Sequence, residues 1–332
     1  MTLDSSLGDG PSTDLDELPE RLRAAGLRIQ AVPEVVDATP ADLEQALRQR
    51  RGPALFRGLA DDWPARSAWT LPRLRSDHGD RQVTALMDLP ANGVLFPTDQ
   101  KNYEQSMPFA QFVDRMQVAT AASPCYLAYT RVGDLFPDED YDFRQYTSGY
   151  GDDTDTRVWI GSAGTRSMLH SDLKDNLFCQ VVGEKSIFLV PWSDTTAVYP
   201  FPDNLVNSRV DLAAVDLGQF PRLRQATVYA GTVRPGDILY MPSGTWHDIR
   251  SRTASVSINH WFGPSLQAGD YLRLLVRLGP AYWRATVADF LRHGVLGRRE
   301  ETRFFFSPAS TGKRLYDLVR FGNFNRDNDP TT

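Results

Sequence analysis

The sequence has little of what secreted, membrane-spanning or thiolate-metal proteins need. Two cysteines, Cys125 and Cys179, among 332 residues are too few for a disulfide framework or a thiolate zinc site and fit a reducing compartment. No run approaches the roughly 18 consecutive apolar residues of a membrane span. The opening stretch MTLDSSLGDGPSTDLDELPE lacks the basic-then-apolar order of a signal peptide, so the expected location is cytoplasmic. Lysine is scarce: it stands only at positions 101, 174, 185 and 313, and the other 32 of the 36 basic residues are arginine. That bias points to a GC-rich bacterial genome, and against it a lysine at a motif position carries weight. A basic excess is missing too. The net charge of −6 gives no overall field for a phosphate backbone.

What remains is an ordinary globular composition, 41% hydrophobic and 23% charged, long enough for one large domain or two modest ones. Residues 1–20 are acidic, carry no basic side chain and read as disordered, with a helix beginning near Leu18. Thr39-Pro40-Ala41-Asp42 has the form of a helix start, with Thr39 as N-cap and Asp42 returning the capping bond, and the helix should end near Arg51-Gly52. A short buried strand follows over Pro53 to Gly58, and Trp63 and Trp69 read as core. Strand-like runs Val83 to Met87 and Tyr126 to Thr130 flank a helical stretch from Pro108 to Met116. Between Gly133 and Thr156 eight acidic residues stand against one basic residue, Arg144, which reads as an exposed loop.

From Arg157 to Phe262 short apolar runs recur between turn signals: 158–160, 177–182, 186–190, 227–230, 238–241, 247–250 and 255–262. This spacing predicts an antiparallel sandwich or barrel. After Gly263-Pro264 the pattern becomes helical, with Tyr271 to Leu278 and Trp283 to Leu291 at three-to-four spacing. The tail from Asn323 reads as frayed.

His170 and Asp172 lie two apart, and on a strand that spacing sends both side chains to one face. A third metal ligand is available in His247, behind the turn of Pro235-Gly236-Asp237. Two imidazoles and one carboxylate make the facial triad of non-heme Fe(II) oxygenases, which leaves three coordination positions open. His78, His260 and His293 have no ligand-spaced partner.

These residues, in HSDLKDNLFCQVVGEKSIFLVPW and PGDILYMPSGTWHDIRS, resemble the JmjC-type, cupin-fold Fe(II)/2-oxoglutarate oxygenases, in particular the small hydroxylase branch around factor inhibiting HIF and the tRNA wybutosine hydroxylase. The resemblance covers roughly Pro53 to Trp261. It implies a mainly β fold with flanking helices: a double-stranded β-helix (jelly-roll or cupin) core with N-terminal α/β elements and a C-terminal helical region. The expected division is a disordered 1–20, a catalytic domain 21–263, a helical region 264–322 and a flexible tail 323–332. It implies His170, Asp172 and His247 as iron ligands and Lys185, 13 residues after the metal aspartate, as partner of the distal carboxylate of 2-oxoglutarate. Tyr126, Asn176, Asn259 and Ser167 would complete the cosubstrate contacts, with Ser167 replacing a threonine of some relatives and Tyr129 a close alternative to Tyr126.

The implied reaction uses Fe(II), 2-oxoglutarate and O2 to hydroxylate an unactivated C–H of a protein or peptide side chain or of a small metabolite, giving succinate and CO2. The acidic 134–155 stretch would favour a cationic substrate, and the helices after Asp270 would form a homodimer or pack on the barrel. A tRNA-base hydroxylase, using arginines such as Arg298, Arg299 and Arg303, and a non-redox metal-binding cupin (isomerase or binding protein) stay open as alternatives.

Overall fold

The computed structural model describes residues 15–91, 93, 100–300 and 309–326. The helix behind Thr39 spans Pro40–Gln49 and starts with both halves of the capping box: Asp42 N donates to Thr39 Oγ1 at 3.4 Å and Thr39 N to Asp42 Oδ2 at 2.9 Å. Leu18–Ala24 is helical as expected, with Leu18 and Leu22 buried.

The strands are β1 (Arg28–Ala31), β2 (Glu34–Val35), β3 (Ala54–Phe56), β4 (Gln82–Leu86), β5 (Glu104–Pro108), β6 (Tyr126–Arg131) and β7 (Asp155–Gly161). They continue as β8 (Arg166–Ser171), β9 (Asp175–Val182), β10 (Lys185–Val190), β11 (Thr227–Val233), β12 (Ile238–Met241), β13 (Trp246–Ser251) and β14 (Ser255–Phe262). They form a five-stranded sheet in the order β1-β11-β10-β13-β8 and a nine-stranded sheet in the order β2-β3-β12-β9-β14-β7-β6-β4-β5. Strands β7 to β14 pass back and forth between the two sheets, which is the double-stranded β-helix expected from the sequence.

The alternation of side chains along each strand sorts the core from the cavity. On β9, Leu177, Cys179 and Val181 face outward into a large cluster with Trp63, Trp69, Phe109 and Phe112, while Phe178 faces the space between the sheets. On β10, Phe188 and Val190 face outward and Ile187 and Leu189 inward. Lys185 shares the parity of Ile187 and Leu189, so the pleat itself carries it into the barrel. On β14, Val256 and Ile258 face outward, which leaves Ser257, Asn259 and Trp261 on the inward face.

Helices Ala268–Leu278, Pro280–Asp289 and Thr311–Phe321 follow the barrel. Tyr271, Leu274 and Leu275 pack with Leu173, Leu205 and Val206. No helix among the described residues is long and apolar enough to cross a membrane.

Three local expectations differ from the structure. The 134–155 stretch is not a plain exposed loop: it holds short helices at Val132–Leu135 and Arg144–Thr147, buries Phe136, Phe143 and Tyr146, and keeps most of its carboxylates outside. Apolar residues spaced among the acids hold it down. The tail is ordered as far as Arg326, because Phe324, 3% exposed, is inserted among the C-terminal helices. At the other end Leu15 to Glu20 are ordered by the burial of Leu18, while residues 1–14 and 327–332, and Arg303, lie outside the described residues.

Candidate functional site

The site forms where β8 and β13 pair. His247 lies directly opposite His170 in the antiparallel register, and the ring centroids are 4.1 Å apart. Asp172 follows β8 by one residue, and its Oδ2 lies 3.7 Å from His247 Nε2. One ligand atom from each of His170, Asp172 and His247 falls within 4.8 Å of the others, the one such metal-holding group among the described residues.

The backbone sets the imidazoles. His170 Nδ1 lies 2.6 Å from the Met168 carbonyl and His247 Nδ1 lies 2.9 Å from the Thr245 carbonyl. A carbonyl only accepts, so both Nδ1 atoms carry the proton and both Nε2 lone pairs are left for a metal. Asp172 Oδ2 accepts from Trp261 Nε1 at 2.8 Å and from Asn176 Nδ2 at 3.1 Å. The turn before His247 is held by Gly244, whose N donates to the Asp172 carbonyl at 2.8 Å. Its φ of 81° and a would-be Cβ 2.7 Å from the Trp192 ring leave room for glycine alone. Burial and the neighbouring His170 push the His247 imidazole below its ordinary pKa, so it stays neutral and able to ligate.

Asp248, one residue beyond His247, is fully buried and receives Arg166 Nε at 3.1 Å and Arg250 Nε at 2.9 Å. Against the cost of burial, the two guanidinium groups hold its carboxyl well below the usual range. Arg166 also reaches Asp211 at 2.8 Å, which ties residues 206–212 to the barrel. The pairing of Arg166 with Asp248 and Asp211 was not visible in the sequence, where the three residues are far apart.

Lys185 is 1% exposed and its Nζ donates to Ser257 Oγ at 2.8 Å. It lies 5.5 Å from the Phe178 ring centroid and 5.7 Å from that of Tyr126, and among the described residues no carboxylate pairs with it. Desolvation lowers its pKa from 10.5 to about 7. Leu189, opposite His247, is four residues along β10 from Lys185, a separation of about 13 Å along the strand.

The metal-site residues and Lys185 line one cavity of about 1280 Å³. Tyr126, Ser167 and Asn259 also line it, and the Tyr126 hydroxyl is hydrogen-bonded to Ser167. Burial pushes the Tyr126 phenol up, so it remains a neutral hydrogen-bonding group. Asn176 stands apart from these: it does not line the cavity, and its amide supports Asp172 from behind, with Oδ1 buried and unpartnered. Tyr129 lines the outer part of the cavity with Trp159 and Trp261, which have ring centroids 5.5 Å apart. Trp261 belongs to no motif of the sequence, although its inward parity two residues after Asn259 on the last strand would have marked it.

The rim carries Asp134, Asp138, Glu139, Asp142, Asp153 and Asp155 from the acidic stretch, together with Arg131, Arg144, Lys174 and Arg209, and Lys174 is paired with Asp153 at 2.6 Å. His260 hydrogen-bonds Thr147 and Thr156 at 3.1 and 2.8 Å and stacks on Phe143, and burial lowers its pKa to about 4. His78 and His293 also lie outside the metal-holding group.

The donor set fits iron. Two imidazole nitrogens and one carboxylate converge from one side, and a chelating anion would find at its far end a buried ammonium with no carboxylate partner among the described residues.

Comparison with known proteins agrees with this geometry. Residues 40–268 match the model of the cupin-like domain. A lysine-specific demethylase 8 of Danio rerio is 32% identical over 220 residues, covering 63% of this chain and 53% of that protein. A Jumonji C domain-containing protein 5 of Drosophila melanogaster is 31% identical over 224 residues, covering 63% of this chain and 54% of its own. A human bifunctional peptidase and (3S)-lysyl hydroxylase is 25% identical over 242 residues, covering 63% of this chain and 77% of its own. The chain spans about half the length of the fish and fly relatives it matches. It belongs to the cupin-like family, with proteins of the JmjC type among its relatives.

Proposed function

We propose that this protein is an Fe(II)- and 2-oxoglutarate-dependent oxygenase that hydroxylates a cationic substrate, either a basic peptide side chain or a small basic metabolite. The observation that carries this reading is Lys185: a buried ammonium with no carboxylate partner among the described residues, in the same cavity as a facial triad. Burying a cation without its counter-charge is costly unless a ligand supplies one.

His170, Asp172 and His247 would hold the metal. Lys185 and Ser257 would bind the far carboxylate of 2-oxoglutarate, with Tyr126, Ser167 and Asn259 as further hydrogen-bonding groups along it. Iron, 2-oxoglutarate and O2 supply the oxidative chemistry, in which one oxygen atom enters succinate, CO2 is lost and the other becomes the substrate's new hydroxyl. Tyr129, Trp159 and Trp261 exclude water from the outer cavity and orient the substrate. Where the hydroxylated carbon is a methyl on nitrogen, the product loses formaldehyde and the outcome is demethylation, so the demethylase and the hydroxylase in two of the relatives' names correspond to one kind of C–H attack.

The carboxylates of Asp134, Asp138, Glu139 and Asp142, clustered on one side of the rim, attract cations there, and with the net charge of −6 this supports a basic peptide or metabolite over tRNA. A non-redox cupin would have no use for Lys185. The test is succinate formation by the full chain with Fe(II) and 2-oxoglutarate across basic peptides, basic amino acids and tRNA. Stimulation by the basic compounds is expected; stimulation by tRNA alone would overturn the substrate class.

A further inference from the structure

The cupin-like match ends at residue 268, yet the cavity wall includes Asn323, Asn325 and Arg326. These residues follow the helix Thr311–Phe321, where Gly322 at φ 73° reverses the chain. Phe324 and Asn325 anchor them, while Asn323 and Arg326 are exposed. Phe324 packs in the same apolar cluster as Leu173, the residue after Asp172, and Val206, whose carbonyl accepts from Ser171 N at 2.8 Å. Arg314 lies over both the Phe324 and Tyr271 rings, 4.2 and 4.6 Å from their centroids. It donates to the Tyr271 hydroxyl at 2.8 Å and also bonds Asn325 Oδ1.

The two asparagine oxygens are therefore used within the protein, Asn325 Oδ1 by Arg314 and Asn323 Oδ1 by the backbone N of Asn325 at 2.9 Å. The Asn323 amide nitrogen and the Arg326 guanidinium have no hydrogen-bond partner among the described residues and are donors at the cavity, and Arg326 rests on the Phe321 ring at 3.7 Å. A wall that offers donors and a positive charge recognises a carboxylate. The acid-rich part of the rim offers the opposite charge.

We infer that Asn323–Arg326 is a substrate-binding wall, contributed by the chain beyond the cupin-like domain, that binds the carboxylate of a small basic amino acid whose cationic end faces the acidic rim. This rests on the reading of the cavity as the substrate cavity. It makes the C-terminal helices a scaffold for specificity as well as for packing.

The experiment compares L-arginine with agmatine, which has the same guanidinium but no carboxylate, by tryptophan fluorescence on the full chain with Fe(II) and 2-oxoglutarate under argon. The wild type is expected to bind L-arginine about tenfold more tightly, the worth of one charge-assisted contact. Arg326→Ala and, separately, Phe324→Ala, which undocks the wall, should bring the two ligands to equal affinity while 2-oxoglutarate affinity is unchanged. Variants that keep the wild-type preference would overturn the inference, as would a wild type that binds both ligands alike or neither. The absorbance change on adding 2-oxoglutarate, read in the same samples, reports separately on the oxygenase reading.

Discussion

The Lys185 ammonium donates to Ser257 Oγ across the barrel at 2.8 Å and meets no carboxylate among the described residues. One side chain comes from β10, the central strand of the smaller sheet, and the other from β14, the central strand of the larger sheet, so the contact measures how closely the two sheets approach around the cavity.

This arrangement sets stability against function. The folded protein binds the Lys185 proton less tightly than the unfolded chain does, so between about pH 7 and the ordinary value of 10.5 the unfolded state holds more protons. Apo-protein stability should therefore rise with pH across that window. Lys185→Met should stabilise the apo-protein at neutral pH by a few kcal/mol and greatly weaken 2-oxoglutarate binding. Denaturant unfolding of both proteins at pH 7 checks the first, and a variant no more stable than the wild type would contradict it.

Ligand binding should show the same titration. A dicarboxylate needs the protonated ammonium, which is half lost near pH 7 in the free protein. The Kd for 2-oxoglutarate should therefore weaken above pH 7, approaching tenfold per pH unit. Calorimetry in buffers of different ionisation enthalpy should also show proton uptake on binding at pH 8.

Trp261 and Asn176 both donate to Asp172 Oδ2. Removing such support for a metal ligand costs about 10–100-fold in affinity. Trp261→Phe and Asn176→Ala are each expected to lower metal affinity within that range without unfolding the barrel, as measured by competition with a chelator.

Asp248 neutralises Arg166 and Arg250 at a fully buried position. Asp248→Asn should destabilise the protein by about 3–5 kcal/mol, because it leaves buried guanidinium charge unpaired. A double variant with apolar replacements at Arg250 and Asp248, which leaves Arg166 its pairing with Asp211, should recover part of that loss, which denaturant unfolding of the two variants checks.

The acidic rim yields a kinetic prediction. Changing Asp138, Glu139 and Asp142 to their amides should raise KM for a basic substrate severalfold, with kcat little changed, and the difference should shrink at high salt. An unchanged KM would show that these carboxylates only solvate the loop.

The capping box at Thr39 and Asp42 was legible in the sequence because its two hydrogen bonds are local. The strands β9 and β12 were legible because strands buried on both faces are written as nearly continuous apolar runs, and β14 because Val256 and Ile258 alternate with polar residues. Strand β8 was not, since only Met168 and Leu169 of its six residues are apolar. The polar side chains it gives to the cavity and to Asp248 remove the hydrophobic signal, and the spacing of His170 and Asp172 stands in its place. Strands β1, β2 and β5 are short, mostly exposed edge pieces with few apolar residues. The pairing of Asp248 with Arg166 and the return of Arg326 to the cavity depend on contacts between distant segments, which no local pattern encodes.

The most direct measurement is an anaerobic titration of apo-protein with Fe(II) and then 2-oxoglutarate, following the visible metal-to-cosubstrate charge-transfer band, with His170→Ala and Lys185→Ala alongside. The account predicts a band in the wild type that is lost in His170→Ala and reaches saturation only at far higher 2-oxoglutarate in Lys185→Ala. Bound iron with no band in the wild type, or a band indifferent to Lys185, would contradict it.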